Sequence, residues 1–128
     1  MHKEIIICII VIILVIGLDI LTRNYTKNTV EIINRKLSDF KELLIEEAEQ
    51  EKVKEINDDI MNEWQEKYEV LAYYIEHDEL EKVETELTAL TSSIDVVQYN
   101  DGVENLDRCI FILNHIKDKY IVEIKNIF

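Results

Sequence analysis

Apolar residues recur along this chain at intervals of three and four. Val30, Ile33, Leu37, Phe40 and Leu44 make one such series, the spacing that lines a single helix face. After the polar stretch "EEAEQEK" the series resumes at Val53, Ile56, Ile60, Trp64, Leu71 and Ile75, with Tyr68 and Tyr74 alongside. Leu80, Val83, Leu87, Leu90 and Ile94 form a third set, and Tyr99, Val103, Leu106, Ile110 and Leu113 a fourth. The pattern predicts helices over about 29–50, 52–76, 78–94 and 99–119. No Gly, Pro or Asn marks a break between Gln50 and Val53, so residues 29–76 read equally as one long helix or two. Stripes of this kind bury themselves most simply against one another. The expected fold is therefore all-α: an N-terminal transmembrane helix followed by an antiparallel three- or four-helix bundle.

The first segment has no stripe, because it is apolar on every side. Ile5 to Leu18 contains no polar side chain, and Ile20 and Leu21 extend the run past Asp19 to 17 residues. That is the short end of what crosses a hydrocarbon core of ~30 Å as a helix. Lys3 and Arg23 flank the run and can reach outward to lengthen the effective span. No small-x-small cleavage site follows it, which argues for an uncleaved anchor over a signal peptide. The expected division is an anchor over 1–22, with Ile5, Ile10, Leu14, Leu18 and Leu21 facing lipid, and an acidic bundle over 23–128. The cationic residues after the span (Arg23, Lys27, Arg35 and Lys36) favour a cytoplasmic bundle. A signal-like segment at the extreme N-terminus favours the opposite. The expectation adopted is a single-pass protein of the cell membrane with its bundle outside.

Composition agrees with helices. There is no proline, and Gly17 and Gly102 are the only glycines, so turn-rich β folds lack their usual turn residues. Of the net charge of −13, the first 21 residues carry −1 (Lys3, Glu4, Asp19), leaving −12 on the rest. Such a surface repels phosphate backbones, and no nucleic-acid partner is expected. With Cys8 in the apolar run, Cys109 is the one thiol of the acidic part. No intramolecular disulfide can form there, and a buried structural thiol is the expectation for Cys109.

The densest candidate chemistry is "YYIEHDELEKVETEL", where Glu76, His77, Asp78 and Glu79 stand in a row. Consecutive helical residues point about 100° apart, so four in a row do not converge on an ion. His77 and Glu81 share a face at i, i+4, yet no Glu-x-x-His accompanies them. The expectation is a helix joint, with His77 at the corner and Asp78 as an N-cap followed by Glu81. Glu76, His77, Glu79 and Glu81 remain the candidates for a metal if one binds. "DGVE" at Asp101 repeats the cap pattern, and Asp101, Glu104 and Asp107 lack the ligand order of a calcium loop. No nucleophile elbow or phosphate-cradling glycine loop occurs, and no cofactor is expected. Trp64, Tyr68, Tyr73 and Tyr74 cluster in one segment. Core and rim packing accounts for them; the rival reading makes Trp64, Tyr68 and Tyr73 a protein-binding hot spot.

Trp64, "YYIEHDELEKVETELTAL", "DGVENLDRCIFILNHI" and the terminal "KNIF" together give the chain a resemblance. It resembles an uncharacterised family of short single-pass membrane proteins from clostridia and related Gram-positive bacteria, over nearly the whole chain. The resemblance implies a small helical protein on one membrane span, and supplies no activity or catalytic residue. The leading expectation is a non-catalytic protein that binds a partner protein at the membrane, with lipid contacted through the N-terminal helix and a homo-oligomer left open. The alternative is a cation- or small-ligand-binding sensor using the Glu76–Glu81 cluster. An enzyme ranks behind both.

Overall fold

The structure, a computed structural model, describes residues 1–125, with side chains described through Tyr120; residues 126–128, which end the "KNIF" motif, lie outside it. Four helices follow in order: α1 (His2–Ile45), α2 (Gln50–Leu71), α3 (His77–Asp95) and α4 (Tyr99–Lys125). Among the described residues there is no strand. Each helix packs on two neighbours in the ring α1, α2, α3, α4 and back to α1, while the diagonal pairs make no close backbone approach. Successive helices run antiparallel, the up-down-up-down arrangement that short loops allow.

The apolar run and the first bundle helix are one continuous element, which corrects the expected boundary near residue 29. Nothing in "TRNYTKNTV" breaks a helix, so the 44 residues of α1 extend for about 66 Å. Along this helix the environment changes and the backbone does not. Ile5 to Leu21 lie open on all sides, whereas Val30, Ile33, Leu37, Phe40 and Leu44 are at most 1% exposed. The first joint is also settled. α1 ends at Ile45 and α2 starts at Gln50, so residues 29–76 hold two helices. α2 stops at Leu71, short of the expected 76, and Ile75 reaches the core from the loop that follows.

Two further corrections concern caps. The residue that precedes α3 is Glu76, and Asp78 sits inside the first turn with no side-chain cap bond formed. α4 begins at Tyr99, two residues before Asp101. Gly102 therefore lies within the helix and not in a turn. A Cβ there would stand 3.2 Å from Leu44 Cδ1, so its lack of a side chain lets α4 approach α1 and α3. The close approach rotates α4 in its seat. Leu106, Cys109, Leu113 and Ile116 become its buried stripe, and the expected Tyr99, Val103 and Ile110 fall at its edge.

Polar bridges cross all four helix interfaces. Lys36 on α1 pairs with Glu63 on α2. Asn57 Nδ2 donates to Thr91 Oγ1 between α2 and α3 at 3.0 Å. Asn105 Nδ2 donates to Ser93 Oγ between α4 and α3 at 3.0 Å, and Asn34 Nδ2 to Asn114 Oδ1 between α1 and α4 at 2.8 Å. Apolar faces slide over one another at little cost, so directional bonds of this kind fix their register.

The turns after α1 and α3 are built alike. Glu47 and Val97 adopt φ of 53° and 56°. In each turn the amide of that residue and of the next bond back into the last turn, Glu47 to Leu44 and Ala48 to Leu43, Val97 to Ile94 and Gln98 to Ser93. This is the Schellman closure that glycine normally provides. A β-branched residue at that φ is strained by about 1–2 kcal/mol. Val97 is 55% exposed, so its side chain returns little through packing. Val97→Gly is expected to stabilise the fold by up to about 1 kcal/mol, a rise of a few °C in Tm. Val96→Gly, at φ −97°, should lower Tm instead. Thermal unfolding followed by circular dichroism distinguishes the two.

Candidate functional site at the ends of the bundle

The antiparallel ring gives the bundle a near end, where α1 leaves it, and a far end. At the near end Arg23 pairs with Asp19 at 2.8 Å, one helical turn apart. The carboxylate nearest the apolar run thus carries its own counter-charge. Thr26 Oγ1 donates to the Thr22 carbonyl at 2.7 Å. The Tyr74 hydroxyl lies 2.7 Å from Thr26 Oγ1 and 3.2 Å from the same carbonyl. This cluster fastens the α2–α3 loop to the first residue of α1 past the apolar run. Burial raises the Tyr74 phenol above its ordinary pKa, against the opposing hydrogen bond of Thr26.

Across the same end the Glu76–Glu81 cluster is spread over different partners. Lys119 of α4 lies 3.7 Å from both Glu76 and Glu79, and Lys82 is 3.9 Å from Glu79. The Glu76 amide donates to the Tyr120 hydroxyl at 3.0 Å. His77 Nε2 lies 3.9 Å from Glu81 and 3.4 Å from the Tyr68 hydroxyl. The four sequence candidates therefore do not share one point in space. A lysine ammonium stands between two of the carboxylates, where a cation would have to go. Among the described residues no group of three or more His, Cys, Asp or Glu is placed to hold a metal ion.

The aromatic candidates also separate. Trp64 is 1% exposed and stacks edge-on against Tyr68, ring centroids 6.1 Å apart. It belongs to the core and presents nothing to a partner, which removes it from the hot-spot reading. Its Nε1 is buried without a hydrogen-bond partner. Tyr68 is half-buried between Trp64 and His77. Tyr73 alone of the three is open, at 89% exposure. Cys109 is fully buried, and desolvation pushes its thiol up to about 12, with Glu86 adding to the shift.

The far end is acidic. Residues 42–55 and 92–104 meet there and contain nine acids against Lys52 and Lys54. Their net of −7 is more than half of the whole chain's charge. Between the two Schellman turns lies an open groove of about 630 Å3, lined by Glu47, Gln50, Val97, Tyr99 and Asp101 among others. Glu104 and Asp107 are drawn sideways to Arg108 at 3.8 Å and Lys41 at 2.8 Å, so they do not join Asp101 in one site. Neither the groove nor the positive-φ turns had a signature in the sequence, since both turns lack glycine.

Residues 20–127 match the family described as a domain of unknown function, DUF4363. The chain belongs to this family. The matched region begins at the end of the apolar run and takes in every helix of the bundle, so the run itself lies almost wholly outside the family domain. No curated protein and no solved structure matches the chain.

Proposed function

We propose that this member of DUF4363 is a single-pass membrane protein whose bundle acts without catalysis, docking another protein at the membrane surface. The observation that carries the reading is the continuity of α1. A sleeve of apolar side chains, none of it buried against the chain, passes without a break into a stripe that is at most 1% exposed from Val30 to Leu44. A bare helix of isoleucine, valine and leucine has no stable place in water, and its length suits a bilayer. The far end, remote from that sleeve, supplies the docking chemistry: excess negative charge selects a basic partner by electrostatic steering. The same reading puts the bundle outside the cell, so a C-terminal reporter active only outside should report there.

The test uses the full chain in native membranes with a photo-crosslinker at Asn100, an exposed far-end position. The chain is expected to resist carbonate extraction and to yield one discrete adduct. That adduct should fade several-fold in Glu46→Lys/Asp101→Lys, with Tm unchanged. An adduct indifferent to charge reversal overturns the docking chemistry. Loss of the chain on carbonate washing overturns the anchor.

A further inference from the structure

The six tyrosines are unevenly placed. Tyr99 lines the far groove, and the other five stand at the near end, brought there from α1, α2, α4 and the α2–α3 loop. Tyr25 lies on α1 with the Lys67 ammonium 5.6 Å over its ring. Tyr68 meets His77, and Tyr120 accepts from the Glu76 amide. Tyr74 is bonded to Thr22 and Thr26, and Tyr73 projects beside it into solvent. Tyr25 stands four residues past Leu21, about 6 Å along the helix. The headgroup layer on one side of a bilayer is itself about 5–8 Å deep.

Two further observations point the same way. The apolar run of 17 residues covers about 26 Å, short of a hydrocarbon core of ~30 Å. A short span draws whatever adjoins it toward the lipid. Three of the near end's acids have a cation beside them: Asp19 has Arg23, and Glu76 and Glu79 share Lys119. The larger excess of negative charge lies at the opposite end of the bundle.

We infer that the α2–α3 corner is a lipid-contact surface, on which Tyr73, with Tyr25 and Tyr74 beside it, seats the bundle in the headgroup layer of the bilayer that α1 crosses. The inference rests on the membrane-anchor reading above. Tyrosine suits the position because its ring is apolar and its hydroxyl wants water or a phosphate, which is why it gathers at membrane interfaces. Val70, also exposed on the approach to the corner, adds apolar contact.

The experiment places a polarity-sensitive fluorophore on the full chain in vesicles of phosphatidylcholine and phosphatidylglycerol in equal parts. Cys8→Ser/Tyr73→Cys directs the label to the corner, since Cys109 is fully buried. Cys8→Ser/Asn100→Cys directs it to the far end. Tyr73 is 89% exposed, so replacing it leaves the core intact, and Trp64 emission reports that. The label at position 73 should emit at shorter wavelength, and headgroup spin-labelled lipid should quench it several-fold more than the label at position 100. Equal, weak quenching at both positions in chain that resists carbonate extraction overturns the lipid-contact surface and leaves the anchor standing. Chain that washes out of the vesicles overturns both.

Discussion

Trp64→Ala is expected to destabilise the fold by about 3–5 kcal/mol, the cost of removing a large buried ring and leaving its cavity. Against a typical total of about 5–15 kcal/mol, that leaves a markedly weakened bundle. The ring is 1% exposed and packs edge-on against Tyr68, so its loss uncouples α2 from the α3 start through Tyr68 and His77. Trp64→Phe should cost much less. It keeps most of the ring and removes an indole N–H that is buried without a partner, a group that is itself unfavourable by about 1–3 kcal/mol. Tyr73→Ala, by contrast, should move stability by no more than about 0.5 kcal/mol. Denaturant unfolding in mild detergent gives all three values. Trp64→Ala with unchanged stability would remove Trp64 from the core and restore it as a surface residue.

Val11→Arg/Leu14→Arg is expected to turn an integral protein into one released by carbonate. Each arginine near the centre of a span costs about 2.5–3.5 kcal/mol on insertion scales, about 5–7 kcal/mol for the pair. Both positions lie at least 50% exposed, in a stretch that touches nothing else in the chain. The bundle's circular dichroism and Tm in detergent should therefore match those of the parent. A variant that stays carbonate-resistant would sink the anchor reading. A variant whose bundle unfolds in detergent would show that the apolar helix packs on the bundle after all.

The stripes of α1, α2 and α3 were legible because three-four spacing leaves few ways to bury them, and residues such as Leu37, Trp64 and Leu87 lie where that spacing puts them. In α4 the apolar spacing points one edge away from the face that is buried. Its rotation follows from Gly102 against Leu44, a contact between residues far apart in sequence. The unbroken α1 was readable in principle: composition changes at Thr22, but helix formation answers to breakers, and none is present. The joints were harder. Helix ends are usually announced by glycine, and here Glu47 and Val97 take the left-handed role without it. Most opaque was the near end. Tyr25, Tyr73, Tyr74 and Tyr120 are scattered in sequence, and Lys119 finds Glu76 and Glu79 from another helix. Only folding assembles them.

A helix that enters the bundle directly from the apolar run behaves as a rigid shaft with no universal joint. From Thr22 to Ile45 the shaft extends about 36 Å beyond the run. If the run crosses a bilayer as proposed, tilting it by about 20°, an ordinary value, sweeps the acidic end sideways by about 12 Å at that lever length. On the membrane-anchor reading, whatever turns the span also turns the direction in which the negative end points, so a tilt of the anchor is mechanically a change of aim.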